Sequence, residues 1–146
     1  MKMPPLSDAD LQQLLQRPLV ARFATHGRNG GLRITPVWFK HADGEIVANT
    51  LERTDLARNL RKDPECSVLI DVDEQPDVVA AHFWGSASVE GPADAAGIAD
   101  IIERYVGSRE GALAFAARNL SMGAVVYIRF RPQRIVTWDL RQVDPR

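Results

Sequence analysis

The chain has 146 residues, enough for one core, and its 45% hydrophobic and 25% charged content lies near the average for globular proteins. This excludes disordered, collagen-like and disulfide-stapled classes. The formal net charge of −1 leaves no overall basic field to attract a nucleic acid backbone.

A single domain over residues 1–146 is therefore expected. The first residues lack the basic start and apolar stretch of a signal peptide, and no uncharged apolar run approaches the roughly 18 residues of a membrane helix. The expectation is a cytoplasmic protein with neither a membrane nor a nucleic acid partner. Cys66, the one cysteine, lies in the apolar run Cys-Ser-Val-Leu-Ile and reads as a buried thiol in a reducing compartment.

In chain order, Ser7 with Asp10 three residues on resembles a capping box, and Leu11, Leu14 and Leu15 follow at helical spacing until Pro18. A short helix is predicted there. Leu19–Thr25 and Leu32–Lys40 read as strands around the flexible turn His26–Gly31, and Glu45–Thr50 follows the turn His41–Gly44 as a third. A three-stranded meander results. Thr54–Lys62 reads as an amphipathic helix with Leu56 and Leu60 one turn apart, closed by Asp63-Pro64.

Cys66–Val72 and Val78–Val89 are β-branched enough for strands. Ile98, Ile101, Ile102 and Tyr105 repeat at i, i+3, i+4 and i+7, which is a helix stopped by Gly107, and the Ala-rich Glu110–Leu120 reads as another. Strands return at Ala124–Phe130 and Arg134–Asp139. Antiparallel strands with short turns and flanking helices favour a mainly β (α+β) closed or nearly closed barrel over parallel βαβ units.

The usual reactive constellations are missing. His26, His41 and His82 are scattered without metal-ligand spacing, so no metal site is expected. No Gly-x-Ser-x-Gly elbow, P-loop or Gly-x-Gly-x-x-Gly fingerprint occurs. The unusual feature is Pro36 inside a strand, where proline belongs on an edge or at a bulge and leaves neighbouring backbone groups free. Those groups suit the polar edge of a planar heterocycle, with Trp38 as an aromatic wall; from the proline alone, an ordinary edge strand with a shielding Trp is the simpler explanation.

Three strings in register carry a resemblance: Arg33-x-Thr35-Pro36-Val37-Trp38-Phe39, then Asn49-Thr50, then Arg58-Asn59-Leu60-Arg61-x-Asp63-Pro64. From about Leu19 to Asp139 the chain resembles the pyridoxamine 5′-phosphate oxidase-like superfamily, in particular its small branch of flavin- or deazaflavin-dependent enzymes. The resemblance implies a split β-barrel homodimer with two cofactor sites between subunits. It implies that Thr35, Pro36 and Val37 face the ring of FMN or coenzyme F-420, that Asn49 and Thr50 lie along ring and polyol, and that Arg53, Thr54, Arg58 and Asn59 surround the phosphate. It implies too that Trp138, in Pro132-x-Arg134-Ile135-Val136-x-Trp138, walls the partner's site. Arginine's forked donors suit phosphate, although these arginines also fit a solvated helix face.

Two departures stand out. The family's lysine before the Arg-Asn-Leu string is Leu56 here, preceded by Asp55, and a lysine restored at 56 is expected to tighten cofactor binding. No Arg-Leu-His-like segment follows Trp138, so the resemblance implies an enzyme other than a vitamin-B6 oxidase. The implied activity is hydride transfer between FMN or F-420 and a small unsaturated organic substrate at the dimer interface. The alternative is a non-catalytic module that binds flavin, haem or a related planar ligand.

Overall fold

The computed structural model describes residues 3–143; the outermost residues of the expected domain lie outside the described residues. Helix α1 (Asp8–Gln16) is capped by Ser7, whose hydroxyl accepts from the Asp10 amide, so the predicted signal is the actual start. Strands β1 (Val20–His26), β2 (Leu32–Ala42) and β3 (Glu45–Leu51) form the predicted meander. Asp43 and Gly44 both have positive φ, 53° and 75°, the mirror-image turn that matches the twist of a tight hairpin.

Helix α2 (Asp55–Lys62) follows under a Thr54 cap. Then come β4 (Glu65–Glu74), β5 (Asp77–Glu90), α3 (Ala95–Val106), α4 (Arg109–Ser121) and β6 (Val125–Asp139). All neighbouring strands are antiparallel and close into a barrel in the order β1-β2-β3-β6-β5-β4. The predicted fold class is the observed one.

One expectation changes. The two strands predicted at Ala124–Phe130 and Arg134–Asp139 are a single strand of 15 residues. The polar stretch Arg131–Arg134 that breaks the apolar pattern is absorbed by an irregularity: Gly85 faces Pro132 and Trp84 faces Arg134, which leaves Gln133 as the extra residue of a bulge. Gly85 is required at that point, because any Cβ would overlap the Arg131 backbone.

Alternation along the strands fills the interior. Phe23, Phe39, Phe83 and Phe130 are fully enclosed, with Phe23 and Phe83 each meeting Phe130 edge to face at ring separations of 6.0 and 6.5 Å. Helix α1 adds Leu14 and Leu15 to this core, and α2 adds Leu56 and Leu60. A second core forms outside the barrel wall, where Ile98, Ile101 and Ile102 of α3 and Ala112 and Ala116 of α4 cover Val125 with Trp38, Val47 and Leu51 packed against them.

Candidate functional site

Helix α2 presents two faces. Leu56, Ala57 and Leu60 turn into the core, while Asp55, Arg58, Asn59 and Lys62, at i, i+3, i+4 and i+7, share the opposite stripe. That stripe faces the β1–β2 turn across a cavity of about 430 Å³, completed by Gly27, Arg28, Gly31, Leu32 and Arg33. Four cations line it against one carboxylate. Arg33 lies 3.1 Å from Asp55, whereas among the described residues Arg28, Arg58 and Lys62 have no carboxylate partner. Such a surplus of forked and point donors favours a phosphate or similar anion.

A free strand edge leads away from this cavity. Strand β2 pairs with β1 along Leu32–Trp38 but with β3 only over Phe39–Ala42. The direction of its backbone groups follows from Tyr105, whose hydroxyl donates to the Leu19 carbonyl at 2.6 Å and accepts from the Phe39 amide at 3.0 Å. Phe39 therefore turns its polar groups toward β1. Alternation turns those of Thr35 and Val37 the same way and sends those of Ile34, Pro36 and Trp38 to the open edge. Proline at 36 thus gives up no ladder bond. Leu32 and Ile34 remain 72% and 66% exposed beside it.

The residues implied by the resemblance divide into groups. Arg58 and Asn59 line the cavity, and the Asn59 side-chain amide donates at 3.1 Å to the buried Thr25 hydroxyl. Thr35, Pro36 and Val37 lie along β2, one to three residues beyond the open-edge residue Ile34. Thr54 caps α2 and shares a 3.0 Å hydrogen bond with Thr50, so both hydroxyls serve the start of that helix. Arg53 points elsewhere, donating at 2.6 Å to the Met122 carbonyl after α4, and it does not line the cavity. Asn49 pairs with Tyr127 on β6, between Val47 and Leu51 on the face that α3 and α4 cover.

Trp38 stacks on Tyr105 at 4.7 Å and 8° and meets Phe115 at 5.5 Å, so it belongs to the wall beneath α4. Trp138 lies on the outer sheet face opposite Ala80, its ring 6.5 Å from His82, which itself packs on Trp84 at 3.8 Å. Trp138 does not line the cavity of its own chain.

Arg28, Arg33 and Lys62 are cavity residues that sequence reasoning did not select. Lys62 was legible, since it falls on the Arg58 stripe one turn on; Arg28 was not, because only barrel closure brings the Gly-rich turn to α2. Leu56 lies on the buried face, 1% exposed. A side chain there points away from the cavity, which removes the expectation that lysine at 56 would reach a phosphate.

No histidine lines the cavity. His26 lines a different recess beside Trp84, and burial holds His41 and His82 below the usual imidazole range. Burial, reinforced by Asp63, pushes the Cys66 thiol up to about 12, so it stays protonated and unreactive at neutral pH. Among the described residues no group of three His, Cys, Asp or Glu side chains could hold a metal ion.

This geometry has relatives. The profile of the pyridoxamine 5′-phosphate oxidase family matches residues 7–139. The chain belongs to that family. Within the same split-barrel fold, a conserved hypothetical protein of Mycobacterium tuberculosis is 26% identical, with 97% of this chain and 91% of that one covered and a TM-score of 0.79. HutZ, the haem storage protein of Vibrio cholerae, superposes at a TM-score of 0.69 with 18% identity over 92% and 98% of the two chains. An F420 reductase superposes at 0.63 with 17% identity over 85% and 94%. No curated protein matches the chain. No helix of the described residues is long and apolar enough to cross a membrane.

Proposed function

We propose that this member of the pyridoxamine 5′-phosphate oxidase family is a homodimeric oxidoreductase that uses FMN or coenzyme F-420 to transfer a hydride to or from a small unsaturated organic substrate. The observation that carries this reading is the continuity between the cation cluster at Arg28, Arg33, Arg58 and Lys62 and the open β2 edge at Ile34, Pro36 and Trp38. An anionic tail and a planar, hydrogen-bonding head match those two features, so the residues present fit a phosphate-bearing flavin or deazaflavin. When bound, such a group supplies the ring that carries the hydride.

The chain's own residues bind and orient. The cations hold the tail, and the free carbonyls and amides of β2 pair with the polar rim of the ring. No acid or base side chain is needed in the cavity, which agrees with the absence of histidine there. The open edge and the exposed Leu32 and Ile34 are covered by a second copy, whose Trp138 closes the site from the partner's outer sheet face. The fold and its HutZ likeness keep one rival in view: a non-catalytic module for flavin, haem or a related planar ligand.

The test is titration of the purified chain with FMN, F-420 and haem, followed by anaerobic mixing of the reduced complex with unsaturated acceptors. Saturable FMN or F-420 binding with reoxidation by an acceptor supports the enzyme. A Soret band with no flavin or deazaflavin binding supports the rival and overturns the enzyme.

A further inference from the structure

Beyond the cation cavity, β2 borders a second concavity of about 360 Å³, lined by Val20, Pro36, Val37, Trp38 and Phe115. Its chemistry is the reverse of the first. The only polar side-chain atom among the lining residues is the Trp38 indole N–H, and none of them carries a charge. From Arg33 to Trp38 the strand advances five residues, about 17 Å at roughly 3.4 Å each, so the bay lies at the far end of the open edge from the cations.

Its walls are fixed in advance. The Trp38 ring lies nearly parallel to Tyr105, at 8°, and the Tyr105 hydroxyl is tied to the Leu19 and Phe39 backbones. The Arg118 guanidinium lies over the Phe115 ring, 5.6 Å from its centre. The bay is shallow and open, and the adjoining Trp38 and Phe115 rings form with the proline and two valines a fixed apolar wall against which a flat apolar ring can lie. The bay takes a charge badly, because a carboxylate would lose water with no cation among the lining residues to replace it.

We infer that the bay between β2 and α4 seats the substrate, that this substrate is an uncharged planar conjugated molecule, and that Phe115 sets this specificity. The assignment as a substrate seat rests on the cofactor reading above; the preference for an uncharged ring does not.

The test is equilibrium dialysis of the full chain with naphthalene and with 2-naphthoate, which keeps the ring and adds one carboxylate. Two variants act in opposite directions of volume: Phe115→Ala removes a wall and Val20→Phe fills the bay. The expected result is naphthalene binding, at least about tenfold weaker binding of 2-naphthoate, and a loss of about tenfold or more in each variant. Saturating FMN should leave naphthalene binding in place, and both variants, checked for folding by circular dichroism, should keep their FMN and F-420 affinities. Failure of the wild type to bind naphthalene, equal binding of 2-naphthoate, undiminished binding by either folded variant, or displacement by FMN overturns the inference. A chain that binds naphthalene as described but neither FMN nor F-420 retains the bay and loses the oxidoreductase reading.

Discussion

The Asn59 side-chain amide donates to the Thr25 hydroxyl across 3.1 Å, tying the polar stripe of α2 to the interior face of β1, where Thr25 is fully buried. This bond fixes the helix that carries Arg58 and Lys62 against the turn that carries Arg28. Removing it by Asn59→Ala leaves a buried hydroxyl short of a partner, at a cost of about 1–3 kcal/mol. Thermal unfolding should show the lower Tm, and FMN or F-420 affinity should fall with it because the cavity loses its alignment.

Arg58→Ala separates binding from stability. Arg58 is exposed and has no carboxylate partner among the described residues, so the fold loses little. A charge-assisted hydrogen bond to phosphate contributes on the order of 1.5–3 kcal/mol, which is roughly tenfold or more in affinity. Fluorescence titration at low and high salt should show weaker binding and a shallower salt dependence than wild type. Equal affinities at low salt would remove the phosphate from this cavity.

Leu56→Lys now has a different expected outcome from the one the family pattern suggests. Leu56 is 1% exposed and packs in the barrel core with Leu60, so the lysine must either bury its ammonium or force the helix outward. A loss on the order of 2–5 kcal/mol is expected, comparable to truncating a core leucine. Calorimetry should record a clear fall in Tm with no gain in cofactor affinity.

Sedimentation at micromolar concentration should report twice 16.2 kDa. Ile34, 66% exposed beside the open β2 edge, is the position to break the pairing. Ile34→Glu should yield a folded monomer that no longer binds FMN or F-420. Trp138→Ala should weaken cofactor binding while leaving Tm nearly unchanged, since its ring lies on the outer sheet face. A wild-type monomer that binds cofactor with full affinity would defeat the shared-site reading.

Asp139, 1% exposed, ties the end of β6 to the following turn, and hydrogen bonds from Arg141 foremost hold its carboxyl down at about 2, from 3.8. A depressed folded value means that this contribution to stability is fully present above pH 3.8 and is lost as pH falls toward 2. Asp139→Asn should therefore lower Tm at pH 7 and remove part of the acid sensitivity between pH 4 and 2. Parallel acid sensitivity in both proteins would show that other carboxylates dominate there.

Much of this molecule follows from local pattern. Apolar, β-branched runs bounded by turn residues marked the meander β1 to β3 and the pair β4 and β5, and the helical spacing of Ile98, Ile101, Ile102 and Tyr105 marked α3. Ser7, Thr54 and Gly107 marked helix ends where the structure has them. The strings around Pro36, Asn49 and Arg58 carried the family, because each is a short run whose residues stay neighbours in any fold.

Closure of the barrel decided the rest, since it joins segments with no pattern in common. It merged two apparent strands into β6, because a ladder to β5 tolerates one bulged residue that a sequence pattern reads as a break. It set the Gly-rich turn beside α2, so that Arg28 and Arg33 face Arg58 and Lys62 across a gap of about thirty residues in sequence. It turned Leu56 inward and gave Trp38 to the bay beneath α4. Side-chain type determined which residues could bind an anion or a flat ring; only the packing of distant segments determined which of them meet.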